Sequence, residues 1–201
     1  MKKGILMLVL AAIAVGSVSA QNWWDSFAPG FEENKVFVNA GIGFGALTAG
    51  YDLGLPPISA SADFKLPIAL PITVGPVLGL ASRSISFSSS SYNYSTGGYD
   101  DYGYKFTYTD FAIGVRGMWH FNFVKNLDTY AGLALGYVIN TATAEYTGDW
   151  ATGKTDPTDY SYFLFGANIG ARYFFTKTIG AYLEVGYSGL QFIGFGLALK
   201  F

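Results

Sequence analysis

The sequence predicts an all-β protein in which eight antiparallel strands close, up-and-down, into a transmembrane barrel. Three observations predict it. From residue 35 to 201, apolar side chains recur at every second position, the period of a strand with two unlike faces. The connections between these alternating segments are short and long by turns, as in barrels with tight turns at one rim and loops at the other. The chain is 51% hydrophobic and 18% aromatic with 26 glycines, but only 13% charged. After residue 20 it offers no run of about 20 uninterrupted apolar residues, the length a membrane helix needs.

The segments follow in order. Met1-Lys2-Lys3, an apolar run over residues 5–15 and Ser17-Val18-Ser19-Ala20 have the form of a signal peptide over 1–20, cleaved after Ala20. Residues 21–34 are expected to be a periplasmic N-terminal segment. There Trp23, Trp24, Phe27 and Phe31 suit an interfacial anchor, with a disordered lead-in as the alternative. Residues 35–201 form the barrel.

In strand one Val36, Val38, Ala40, Ile42 and Phe44 oppose Phe37, Asn39, Gly41, Gly43 and Gly45. In strand two Ile58, Ala60, Ala62 and Phe64 oppose Ser59, Ser61, Asp63 and Lys65. Strand three sets Ile72, Val74, Leu78 and Leu80 against Thr73, Gly75, Gly79, Ala81 and Arg83, with Pro76 expected to mark a bulge because it cannot donate to the ladder. Strand four sets Phe111, Ile113, Val115 and Trp119 against Asp110, Gly114, Arg116 and His120. Strand five sets Ala131, Leu133, Leu135, Tyr137 and Ile139 against Gly132, Ala134, Gly136 and Asn140. Strand six sets Phe163, Phe165, Ala167, Ile169 and Tyr173 against Gly166, Asn168, Gly170 and Arg172. Strand seven sets Ala181, Leu183, Val185 and Tyr187 against Gly180, Tyr182, Glu184 and Gly186, and strand eight sets Ile193, Phe195, Leu197, Leu199 and Phe201 against Gly194, Gly196, Ala198 and Lys200.

Long connections are expected over residues 47–57, 88–103 and 147–159, and short ones over 66–70, 122–126, 176–178 and 188–191. This order places both termini on the periplasmic side of a bacterial outer membrane. In hydrocarbon every backbone polar group needs an internal partner, so the sheet must close. Eight strands enclose room only for side chains, which puts the glycine-rich face inside and the bulky face on lipid.

The last strand, Ile193 to Phe201, resembles the assembly signal of outer-membrane barrels: Phe195, Leu197, Leu199 and Phe201 alternate up to a terminal aromatic. Tyr130-Ala131-Gly132-Leu133-Ala134-Leu135-Gly136-Tyr137 and Gly170-Ala171-Arg172-Tyr173-Phe174 have the same character. On these motifs residues 35–201 resemble the small outer-membrane barrels of the OmpX, OmpW and OmpA-transmembrane type found in Gram-negative bacteria. The resemblance implies recognition by the barrel assembly machinery. With no peptidoglycan-binding domain after Phe201, the likeness to OmpA is expected to stop at the barrel.

Candidate functional residues fall into groups. Asp63, Arg83, Asp110, Arg116, Arg172 and Glu184 are expected inside, as an ionic network that plugs the lumen, since unpaired buried charge is costly. Glu184 is expected to pair diagonally with Arg172, with Arg116 reaching in from strand four. Rearranged pairs opening a narrow ion path are the alternative. Trp119, Phe121, Tyr173, Phe175 and Phe201 are expected to form an interfacial girdle at the periplasmic rim. His120, the one histidine, is expected to be a satisfied rim residue, because the serines at 86 and 88–91 lie at the opposite end of their strand. The tract 88–104 carries Tyr92, Tyr94, Tyr99, Tyr102 and Tyr104 and reads as a surface loop suited to contact. Asp100, Asp101, Asp149, Asp156 and Asp159 offer oxygens to divalent cations without the spacing of a defined metal site.

The glycines at 41, 43 and 45 follow strand period with no helix after them, so they are not a phosphate loop. With no cysteine there is no disulfide, thiolate site or N-terminal lipid attachment, and a net charge of −2 gives no footprint for nucleic acid. No cofactor is expected. The favoured function is a non-enzymatic structural or surface-interaction barrel, its partners being membrane lipid and extracellular protein or glycan. A porin-like conduit for ions or small apolar solutes, as the likeness to OmpW implies, is the alternative. A lipid-modifying enzyme and a soluble ligand-binding barrel stand behind these.

Overall fold

The computed structural model describes residues 36–45, 51–68, 70–124, 126–148 and 157–201, without the side chains of 122 and 123. The expected signal peptide, the segment 21–34 and the residues Asp149 and Asp156 lie outside them. Eight strands form one closed antiparallel barrel in chain order: β1 (Val36–Gly45), β2 (Asp52–Lys65), β3 (Ile72–Asn93), β4 (Gly98–Val124), β5 (Leu127–Thr147), β6 (Ser161–Phe174), β7 (Ile179–Tyr187) and β8 (Gln191–Lys200). Closure runs from Phe37 opposite Lys200 to Gly45 opposite Gln191, and reciprocal backbone bonds of 3.1 and 3.0 Å tie Val36 to Phe201. Among the described residues no edge is left open within the barrel wall. None of them forms a helix long and apolar enough to cross a membrane.

The two faces separate as the alternation predicts. Leu133, Leu135, Phe163, Phe165, Ile169, Leu183 and Leu197 point outward and are exposed, while Asp63, Arg116, Arg172 and Glu184 are buried inside. The outer surface is thus an apolar belt. Strands β1, β7 and β8 are 10, 9 and 10 residues long, close to the ~9–11 residues a tilted strand needs to cross hydrocarbon.

Strands β3, β4 and β5 are much longer, at 22, 27 and 21 residues. The tract expected as a loop over 88–103 is therefore a β-hairpin. Its ladder is unbroken from Ile72 opposite Trp119 to Asn93 opposite Gly98, and only 94–97 turn, with Gly97 at φ 72°. The reason is that alternation persists beyond the belt with its sense reversed. Ser86, Ser88 and Ser90 occupy the outward face, while Ile85 and Phe87 occupy the inward one. Phe87 stacks on Tyr104 at 5.7 Å, and Tyr104 stacks on Phe106 at 4.7 Å. The first pair crosses the ladder and the second extends it along β4, and such stacking stabilises a ribbon that a hydropathy average reads as loop. At ~3.3 Å rise per residue, residues 82–93 carry it roughly 40 Å along the strand beyond the belt.

Two further expectations change. The connection expected over 47–57 ends by residue 51, because β2 begins at Asp52. Pro76 causes no bulge: it stands opposite Val115 in unbroken register, on the outward face. The register shifts instead at Leu53/Leu55 and Leu55/Ile58, around Pro56 and Pro57, where two successive residues lack the donors a ladder requires.

Candidate functional site

The inward side chains stand in storeys. Nearest the termini is a charged layer built from six strands. Arg116 on β4 grips Asp63 on β2 with two bonds of 2.7 Å and reaches Glu184 on β7 at 2.9 Å. This two-point fork on one carboxylate is the strong form of the pair. Arg172 on β6 donates to Asp128 at 2.9 Å, to Asn39 at 3.0 Å and to Asp63. Its guanidinium lies 4.2 Å from the ring centre of Tyr130 and 4.9 Å from that of Phe37. Glu184 also accepts from the Tyr130 hydroxyl at 2.7 Å. Every charge here has an opposite charge within bonding distance, which offsets the desolvation of a fully buried group.

One close approach makes room for this layer. Tyr130 stands opposite Gly170, and a Cβ at residue 170 would fall 2.6 Å from Tyr130 Cζ. The ring lies across the glycine and beside Arg172.

His120 stands at the expected end of β4, beside Pro71, and is satisfied, but it lies inside the wall. It is fully buried, with Nε2 2.9 Å from Thr73 Oγ1 and Nδ1 2.7 Å from Asp128 Oδ1. Phe37 stacks on it at 5.3 Å. The expected pair between Glu184 and Arg172 is replaced: Glu184 takes Arg116 and Tyr130, and Arg172 takes the two aspartates. Asp128, absent from the sequence-derived set, is the missing partner. Carrying the period of β5 back from Tyr130 by two residues places it on the same inward face.

Above this layer Ala81, Ala112, Ala134, Val138, Leu164 and Leu190 form an apolar storey, with Tyr162 packed against it. Beyond it is a second polar layer. Arg83 binds Asp110 at 3.0 Å and the Tyr160 hydroxyl at 2.6 Å, and Asn140 donates to Asp110 at 2.8 Å. The guanidinium lies 5.1 Å from the Tyr51 ring and 5.6 Å from that of Tyr108. The six sequence-derived ionic residues thus divide between two layers, four in one and two in the other.

The aromatics Trp119, Phe121, Tyr173, Phe175 and Phe201 all lie on the outward face at the end of the barrel where Val36 meets Phe201. Tyr173, Phe175 and Phe201 are exposed, and Trp119 and Phe121 are half-buried. Phe195, Leu197, Leu199 and Phe201 alternate along the lipid-facing side of β8 up to the closing backbone bonds.

At the opposite end the β3–β4 hairpin projects. Beyond Ser84 no described residue of β2 pairs with β3, and β5 leaves β4 at Gly103. Tyr92 meets Tyr94 and Tyr99 edge-on at 5.0 and 5.3 Å, and all three are exposed, whereas Tyr102 is half-buried. Asp101 and Asp100 accept from Ser90 and Asn93 at 2.6 Å, so both carboxylates brace the ribbon. Asp159 accepts from the Ala142 amide at 2.7 Å. Among the described residues no three His, Asp or Glu side chains are grouped to hold a metal ion.

No curated protein matches the chain. Two solved structures of Ail, the attachment invasion locus protein of Yersinia pestis, align with it. One, in complex with the heparin analogue sucrose octasulfate, is 12% identical over 83% of this chain and 94% of that one, with a TM-score of 0.36. The other is 11% identical over 83% and 93%, with a TM-score of 0.37. The profile of the outer membrane protein beta-barrel domain matches residues 56–191, about two thirds of the chain. The chain therefore belongs to the outer membrane protein beta-barrel domain family.

Proposed function

We propose that the protein is a non-enzymatic surface-interaction barrel: a closed wall anchored in the outer membrane that presents the β3–β4 hairpin on the cell exterior, with both termini periplasmic. The observation that carries this is the ribbon itself. Among the described residues, 85–93 of β3 and 98–102 of β4 pair with one strand each, and the tip bears exposed tyrosines. Unpaired strand edges and tyrosines both favour contact with another molecule. A hairpin carried this far past the belt adds nothing to the lumen layers, so its length serves something outside the barrel.

The stacked lumen supports a closed rather than conducting wall. The apolar storey narrows the lumen between two ionic layers, and the principal charges of each layer are paired, although Ser59, Ser61 and Gln191 line a small cavity beside the storey. The chain of Thr73, His120 and Asp128 has donors and acceptors in line, but it is sealed beneath Phe37 and offers no entry to a substrate. We also assign the terminal-end aromatics to the interfacial girdle and the β8 alternation to recognition by the assembly machinery.

The test is excision of residues 86–105 with a two-residue turn in their place. Cells displaying the intact protein should adhere to host cells or matrix, and cells displaying the shortened one should not, with both barrels folded. Equal adhesion would remove the interaction reading. Resolved unitary currents from the intact protein in a planar bilayer would overturn the closed wall and favour the conduit.

A further inference from the structure

The apolar belt has a hollow on β4. On the outward face of β4 the side chains run Phe111, Ile113, Val115, Gly117, Trp119 and Phe121. Gly117 interrupts a row of bulky residues in the membrane-spanning part of the strand. Its neighbours across the ladder are Val74 on β3 and Leu133 on β5, and Ala131, opposite Trp119, is small as well. Together they leave a recess of about 510 Å³, walled by Val74, Leu133, Val115 and Leu135 with Trp119 at its terminal end.

The barrel does not require this glycine. A Cβ at residue 117 would meet nothing nearer than Val74 Cγ2 at 3.9 Å, whereas at the inward Gly114 it would lie 2.6 Å from the Leu135 carbonyl oxygen. Inward glycines are fixed by crowding from neighbouring strands and lumen side chains. Gly117 is not, so its missing side chain leaves space on the lipid side alone.

We propose that this recess is a binding site for one acyl chain of a membrane phospholipid, retained by the protein rather than exchanging freely with the bilayer. The recess is continuous with the apolar belt of a family that resides in the outer membrane, so hydrocarbon chains are the molecules that reach it. Its lining is apolar, and the one ionic residue beside it, Arg116, turns its side chain into the lumen to Asp63 and Glu184. The site therefore selects a chain and not a headgroup. From Trp119 to Val115 it runs along β4 for roughly 13 Å at ~3.3 Å per residue, close to the ~15 Å depth of one leaflet's hydrocarbon. Left unfilled, the lining would lose its dispersion contacts, and a flexible chain can restore them. A second barrel fits less well. The convex wall of a second copy would have to project a side chain into the recess, whereas a flexible acyl chain follows it without a matching partner surface.

The experiment is native mass spectrometry of the full barrel, released from detergent after reconstitution in vesicles of palmitoyl-oleoyl phosphatidylethanolamine and phosphatidylglycerol. The wild type should keep one phospholipid. Gly117→Leu, and independently Ala131→Leu from the other wall, should lower retention at least several-fold, while Gly117→Ala should keep it because the added methyl fits. Folding of each variant is read from heat-modifiable electrophoretic migration. A variant of Trp23, Trp24 and Trp150 to Phe leaves Trp119 as the sole tryptophan, excited selectively at the red edge of its absorption. Its quenching by brominated-chain phospholipid should fall when residue 117 is filled. Equal retention and equal quenching across the folded variants would overturn the proposal. Disulfide-linked dimers of Gly117→Cys in vesicles would overturn it in favour of a second copy.

Discussion

Replacing Arg172 by alanine tests the central physical claim, that the charged layer is a paired unit. The side chain has no exposed surface, and it is tied to Asn39, Asp128 and Asp63 from three other strands. Truncation removes these bonds and the cation–ring contacts with Tyr130 and Phe37. It also leaves two buried carboxylates short of a partner. Asp63 keeps Arg116 and Asp128 keeps His120, so neither is wholly orphaned. Breaking a buried pair from one side costs about 3–5 kcal/mol. At about 2–4 °C per kcal/mol for a chain of this size, that is a fall in Tm of roughly 6–20 °C. The assay is thermal unfolding in detergent followed by heat-modifiable migration, with urea unfolding in vesicles alongside. The double variant Arg172→Ala/Asp128→Ala should cost less than the sum of the single changes, because it removes charge of both signs. A Tm within the error of wild type, or strict additivity, would refute the paired-layer account.

Three further outcomes are expected. Glu184→Ala should lose at least about 1.5–3 kcal/mol, the value of one hydrogen bond to a charged group, since it removes the carboxylate from the Tyr130 hydroxyl as well as from Arg116, which retains its fork on Asp63; urea unfolding measures it. Leu133→Arg should cost about 2–4 kcal/mol in vesicles and Thr143→Arg, on the same face of β5 beyond the belt, no more than about 1, since the penalty depends on depth. Gly170→Ala should destabilise by about 1–3 kcal/mol through overpacking against Tyr130. Adding Tyr130→Ala should recover part of that loss, which a double-mutant cycle reads directly.

Much of the architecture was legible because strand period needs no tertiary information. Leu133 and Leu135 fell on one face and Gly132 and Ala134 on the other by counting alone. The hairpin reads as a loop in the sequence for a physical reason. Ser86, Ser88 and Ser90 keep the period but reverse its polarity, because outside hydrocarbon the outward face meets water. A search for apolar residues at outward positions stops where the belt stops, although the ladder continues to Asn93. Pro76 looked like the irregular point, but a single outward proline is absorbed in register, while the adjacent Pro56 and Pro57 are not.

Strand count, sidedness and six of the enclosed ionic residues follow from the chain alone, through alternation and the cost of placing charge in lipid; Asp128 does not, although it keeps the same period. Which charge meets which was decided only by closure. Arg172 and Asp63 are 109 residues apart and meet because strands in a closed barrel are tilted and staggered, which sets side-chain height in the lumen independently of sequence spacing. The same stagger took Glu184 to Arg116, drew Asp128 and His120 into the layer, and set Gly117 between two walls as a recess. None of these can be read from a face assignment, because alternation gives a residue its side and only the closed sheet gives it its height.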